Sequence, residues 1–250
     1  MELLRDPKTG CPWDIEQDFK SITTHTIEEA YEVVDAVDNN DFLGLKEELG
    51  DLLLQIIFYS QMAREEGYFT FDDVVCTINN KLIERHPHVF SDKIINTAKE
   101  QEVYWEKQKE KERKEKSNKI DVSVLDGIAL ALPALTRSVK IQKRAANVGF
   151  DWNNTDEVFK KIEEELQELK LAIIENSNIE EECGDLLFSI SCLSTKLNLD
   201  PESALKSCNQ KFITRFNYIE NALAKENKKP EAKYLKLMEQ LWNEAKAIKN

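Results

Sequence analysis

The sequence predicts an all-α protein made of two tandem copies of a four-helix-type bundle. Three observations carry that prediction. Glycine and proline are scarce, seven and six in 250 residues, so the turn clusters of a β-rich chain are missing. Apolar residues recur at helical spacing through most of the length. One acidic pattern is also written twice. Glu29, Glu32, Glu48 and Asp51 stand in EEAYE and EELGD, and Glu165, Glu168, Glu182 and Asp185 stand in EELQE and EECGD, about 135 residues further on.

The first unit begins with a lead bearing Pro7, Gly10 and Pro12. Ile27, Ala30, Tyr31, Val34 and Val37 then form a helical stripe, broken at Asn39–Asp41. A second helix runs through Leu45, Leu49 and Leu52 to Met62 and ends at Gly67. A third begins near Phe71 and stops before Pro87, because the residue ahead of a proline disfavours the α region. Residues Lys99–Lys119 are mostly Glu and Lys, and read as an exposed, solvated helix that closes the unit. The second unit opens with a lead-in helix from about Leu125 to Lys143, interrupted at Pro133. Four helices are expected to follow, over Glu157–Glu175, Ile179–Leu197, Pro201–Asn227 and Pro230–Lys249. Asp200 and Pro201 make a good N-cap and first position for the third of these.

The repeat extends beyond the acids. Asn79-x-Lys81-x-x-x-Arg85 is matched by Asn209-x-Lys211-x-x-x-Arg215, and Trp105-x-x-x-Lys109 by Trp242-x-x-x-Lys246. The entrances echo as well, Gly10–Asp14 against Gly149–Trp152. Matched elements in one order imply two copies of one domain, residues 1–115 and 116–250, joined near 115–125.

Composition excludes several classes of function. A net charge of −13 opposes direct contact with a nucleic-acid backbone or an anionic membrane surface. A phosphorylated small molecule is admitted only if metal ions intervene. The five cysteines are scattered and include no CxxC pair, so they read as reduced, small buried apolar residues of a cytoplasmic protein. Residues 1–10 are charged and lack the apolar run of a signal peptide, and no stretch approaches the ~20 apolar residues that cross a bilayer.

Acids at i and i+3 share a helix face, and in isolation such a pair is a solvated surface. Here the helix after Asp51 reads LLLQIIFY and that after Asp185 reads LLFSISCL, both nearly apolar all round, which predicts burial. Along one face the row Glu48, Asp51, Gln55, Phe58, Met62 runs from acid into core. Carboxylates at such a place need compensation, and a cation supplies it. All-oxygen ligands without His or Cys at metal spacing favour Mg²⁺ or Mn²⁺ over Zn²⁺. Lys and Arg four apart share a face, and the Arg fork suits phosphate. Trp242 is either core or a stacking surface for a base.

These motifs, together with KLIERHPHVF, SVLDGIALALPAL, RAANVGFDW and NQKFITRF, resemble the MazG family in its long, two-domain form. The resemblance implies an all-α nucleoside triphosphate pyrophosphohydrolase that splits NTP to NMP and pyrophosphate with Mg²⁺. It implies that Glu165, Glu168, Glu182 and Asp185 ligate metal, that Lys211 and Arg215 hold the triphosphate, and that Trp242 and Lys246 close over the nucleotide. Glu29, Glu32, Glu48, Asp51, Lys81, Arg85, Trp105 and Lys109 are the first-half counterparts. The sequence departs from the family pattern at Asn178, where a basic residue often stands. Glu181 is the candidate general base, unless the metal-activated water needs none. A homodimer is the family expectation. Two other readings stay open: a superfamily enzyme restricted to one nucleotide such as dUTP, and a helical interaction module without catalysis.

Overall fold

The computed structural model describes residues 1–116 and 123–248, and all regular structure among them is helical. The chain divides into two compact units, Met1–Glu112 and Arg113–Asn250. The first holds α1 (Pro12–Glu16), α2 (Thr23–Asp38), α3 (Phe42–Glu65), α4 (Phe71–Arg85) and α5 (Pro87–Phe90), and α6 (Ala98–Lys116) runs across its end. The second holds α7 (Ala134–Ala146), α8 (Thr155–Glu175), α9 (Ile179–Lys196), α10 (Pro201–Lys225) and, after a 3₁₀ turn at Ala232–Tyr234, α11 (Leu235–Ala247). None of these helices is long and apolar enough to cross a membrane.

Local chemistry sets the boundaries. Asp41 caps α3 by accepting from the Gly44 N–H, and Thr70 with Asp73 forms a reciprocal capping box on α4. Asn154 caps α8, and Asp200 caps α10 ahead of Pro201. Helix ends fall at residues in the left-handed region, Asn40, Gly67, Asn176, Asn198 and Asn227, where short polar or absent side chains carry the least strain. The breaks after α2 and after α8 are each only three residues long, so α2 folds back on α3 and α8 on α9, and these are the most extensively packed pairs. α4 packs on α3, α7 on α9, and α11 on α10.

Several expectations are corrected. Of the five cysteines Cys192 is buried and Cys11 half-buried, while Cys76, Cys183 and Cys208 are exposed on their helices. The lead-in helix does not begin at Leu125. Residues 124–127 form turns, with Gly127 at φ 75°, and Arg144 donates to the carbonyls of Val124 and Asp126. Pro133 is the N-cap of α7 rather than an interruption within it. The last helix starts at Leu235, not Pro230, because the 3₁₀ turn precedes it. Residues 117–119 of the charged run, part of the expected junction at 115–125, and Lys249 lie outside the described residues.

The apolar runs of α3 and α9 are not buried all round. On α3 one row goes inside, Gln55, Phe58 and Met62, while Leu53, Leu54 and Ile56 stay exposed. On α9 the matching row is Ser189 and Cys192, with Leu187 and Ile190 exposed. α2 and α4 pack on α3, and α8, α7 and α10 on α9, yet these neighbours leave part of each apolar run uncovered within its own unit.

The core of the first unit is Ile22, Phe58 and Met62, with Met1, Phe19 and Tyr59 packed against it. Phe58 meets the edge of Trp13 at a ring separation of 6.4 Å. In the second unit Val158, Ala172, Cys192, Ile219 and Leu223 are buried. A polar seam joins α7 to α9: Ser138 and Ser191 share a hydrogen bond, and the Gln142 amide donates to the Phe188 carbonyl at 2.9 Å. Phe58→Ala is expected to destabilise the first unit by about 3–5 kcal/mol through lost burial and a residual cavity, read as a drop in the denaturant midpoint. An unchanged midpoint would mean that this cluster is not the core.

Candidate metal and nucleotide site

The row that descends into each core begins with the acids, and the helix pairs bring them face to face. Carboxylate oxygens of Glu29, Glu48 and Asp51 lie within 4.8 Å of one another in the first unit, and those of Glu165, Glu168 and Glu182 do so in the second. One helix of each pair supplies ligands from one side and its neighbour supplies the rest. Glu32 adjoins the first trio, close enough for its charge to act on both Glu29 and Glu48. Asp185 stands one turn beyond Glu182, outside the second trio, and Glu181 is exposed on the first turn of α9.

Electrostatics in the two trios differ. Desolvation, then the charges of Glu32 and Asp51, pushes the Glu29 carboxyl above its usual range, and the same causes raise Glu48. Desolvation and the Glu165 charge raise Glu168. Glu165 is the most buried of all six acids, 5% exposed. Its charge is met by Lys161, whose ammonium lies 2.7 Å from both Glu164 and Glu165. Those two hydrogen bonds hold Lys161 charged, well above the ordinary lysine range. The donor set in each unit is therefore oxygen only and crowded, which fits a hard divalent cation.

The basic residues separate into two different settings. In the second unit Lys211, Arg215 and Lys246 line a cavity of about 380 Å³ together with Asn217, Tyr218 and Asn221. The Arg215 guanidinium lies 5.6 Å from the centroid of the Trp242 ring, and the Lys246 ammonium 6.0 Å from it. Phe212 backs that ring at 5.0 Å. In the first unit Lys81 lines a mostly apolar cleft of about 400 Å³ with Phe69, Asp73 and Ile78. Arg85 is not at that cleft. It donates through Nε and Nη2 to both oxygens of Glu112 at 2.8–3.0 Å. Lys109 pairs with Glu106 at 2.7 Å, and the Trp105 indole N–H donates to the Arg85 carbonyl at 3.0 Å.

Sequence reading missed Lys161 and Glu112. Lys161 precedes Glu165 by four residues, the spacing at which helical side chains meet, so that signal was available. Glu112 lies in a run read as a solvated face. The structure corrects this, since Gln101 is buried and Trp105 and Glu112 engage α4.

The model of the MazG nucleotide pyrophosphohydrolase domain matches two segments of the chain, residues 17–90 and 154–219, one in each unit. The chain is 45% identical over 250 residues to a nucleoside triphosphate pyrophosphohydrolase of Escherichia coli, covering 98% of this chain and 94% of that protein. It is 45% identical to the nucleoside triphosphate pyrophosphohydrolase/pyrophosphatase MazG of Thermotoga maritima, covering 98% and 92%. An uncharacterised protein of Bacillus subtilis is 40% identical over 97% of this chain, which corresponds to 49% of its own length. With duplicated acid-bearing helix pairs and both segments matched, the chain belongs to the MazG nucleotide pyrophosphohydrolase family.

Proposed function

We propose that the chain hydrolyses nucleoside triphosphates to nucleoside monophosphates and pyrophosphate, using Mg²⁺ held by the second unit. The observation that carries this reading is the Glu165, Glu168 and Glu182 trio with its buried member, in a chain so similar to enzymes named for that reaction. Glu165, Glu168, Glu182 and Asp185 are the proposed ligands. When bound, Mg²⁺ neutralises phosphate oxygens and lowers the pKa of a water that attacks the α-phosphorus.

Every other role falls to side chains. Lys211 and Arg215, one turn apart on α10, meet the triphosphate, Arg215 with a fork matched to two oxygens. Trp242, flanked by two cations, offers its face to the base. Glu181 takes the proton from the attacking water. Pyrophosphate departs with its charge still opposed by Lys211 and Arg215. The first unit has the same ligand types, Glu29, Glu32, Glu48 and Asp51, and Mn²⁺ suits both sets as well as Mg²⁺ does.

The chain is also proposed to pair with a second copy. Exposed apolar residues lie on the site-bearing helices themselves: Ile27, Tyr31 and Val34 on α2, Leu53 and Ile56 on α3, and Leu187 and Ile190 on α9. Large uncovered apolar faces of that kind mark association surfaces. Light scattering should then return a mass near twice 29.0 kDa. A monomeric mass at micromolar concentration would remove the dimer.

Pyrophosphate release from the eight common NTPs and dNTPs with Mg²⁺ tests the activity. Glu168→Gln or Asp185→Asn should lower kcat by at least about 10³-fold with helix content unchanged, while Lys211→Ala should raise KM about tenfold or more. Turnover of one nucleotide alone would narrow the enzyme to a specific pyrophosphohydrolase such as a dUTPase. No turnover at all would favour an interaction module.

The raised carboxyls give a separate expectation. An acid whose folded pKa is raised contributes stability below its unfolded value near 4.5, and that contribution is lost as pH rises through the folded value. A bound cation reverses the repulsion and needs the ionised form. Added Mn²⁺ should therefore raise Tm clearly near neutral pH and much less near pH 4.5. Equal shifts at both would place the cation elsewhere.

A further inference from the structure

We infer that Glu112 is an internal occupant of the first unit's anion site, holding the Arg85 fork in place of a substrate phosphate and so closing that unit to nucleotide. The inference rests on the reading of Arg215 as a phosphate clamp and extends it to the regulation of its counterpart.

A carboxylate offers a guanidinium the same pair of oxygens that a phosphate does. Glu112 makes that two-pronged contact from α6, and both side chains are about three-quarters buried, 27% and 25% exposed. The contact is built rather than incidental. Two further α6 side chains, the Gln101 amide at 2.7 Å and the Trp105 indole at 3.0 Å, both donate to the Arg85 carbonyl. Backbone and side chain of Arg85 are thus gripped by one helix.

The second unit differs at each point. Arg215 makes no ion pair among the described residues; it lies against Trp242 and lines a cavity with Lys211 and Lys246. In the Trp-x-x-x-Lys register that aligns Trp105 with Trp242, the residue at the place of Glu112 is Lys249, of opposite charge. Lys109 of the first unit is also neutralised by its own neighbour, Glu106, whereas its counterpart Lys246 approaches the Trp242 ring. The two units therefore share acids at matching places, while Arg85 and Lys109 of the first are paired within the unit. A clamp held closed nine-tenths of the time weakens apparent affinity about tenfold, because only the open fraction binds.

Calorimetry on the full-length chain with Mg²⁺ and an α,β-methylene NTP analogue reads this directly. The unaltered protein should show one strong site per chain. Glu112→Gln should add a second, or tighten a weak one by about tenfold, and Glu112→Ala should do the same. Arg85→Gln on top of Glu112→Gln should remove the gained site, which mere loosening of α6 would not do. Circular dichroism checks that the variants are folded. Two equally strong sites in the unaltered chain would overturn the inference whether or not any variant folds. Folded Glu112 variants that still bind one nucleotide would overturn it too, leaving the second unit's role intact. No binding by any form would remove the nucleotide reading and this inference with it.

Discussion

Three carboxylates brought within 4.8 Å across a helix pair repel one another, and the rest of each unit is arranged around that repulsion. Helix packing holds the acids together from below. The row that starts at Glu48 and Asp51 continues through Gln55, Phe58 and Met62, all buried, so the core that ties the N-terminal lead, through Phe19 and Ile22, to α3 lies further along the acids' own helix. In the second unit a cation already takes part of the load, since Lys161 stands against Glu165 at 2.7 Å. In the first unit the residue four ahead of Glu29 is His25, which pairs with Glu28 at 3.5 Å rather than with the trio. Equal ligand sets are thus left with unequal compensation, and it is in the first unit that two carboxyls, Glu29 and Glu48, are pushed upward.

A chain of net charge −13 that handles a polyphosphate has to concentrate its positive side chains. It does so on α10 and α11, where Lys211, Arg215 and Lys246 face one cavity and the Trp242 ring lies beside two of them. Guanidinium and ammonium groups near an aromatic face keep their charge while losing little attraction to an incoming anion. On the proposed function the acids would hold the cation and the basic cavity would meet the phosphate oxygens of one substrate.

Much of this was legible in the chain because its signals are local. The break at Asn39–Asp41, the Asp200–Pro201 start and the stop before Pro87 depend on a few backbone angles, and the helices obey them. The repeat was legible because it needs only spacing. The start of α7 was not, since Leu125–Leu132 has helical apolar spacing but is turned by Gly127 and tied down by Arg144 from the next helix. Burial of LLLQIIFY was overread for a different reason. Composition says that a helix is apolar on all sides but not which neighbour covers each side, and here the neighbours within the unit leave part of the run exposed. Lys161 and Glu112 were hidden by abundance. In a sequence with 34 basic and 47 acidic residues, a pair that matters looks like any solvated pair until the third dimension removes the water.

The divergence between the units runs in one direction, and that has a physical meaning. Acids at the helix pair are kept in both, because a lone carboxylate removed from a crowded trio would release repulsion yet leave too few oxygens for a hard cation. The basic residues are kept in identity and altered in partnership: Arg85 is forked by Glu112, while Arg215 stands open to a cavity. Metal affinity and phosphate affinity are therefore separable properties of one repeated bundle. A cation bound there without nucleotide would still relieve the repulsion that burdens α2 and α3, which would give the first unit a use for its carboxylates while the proposed clamp is closed.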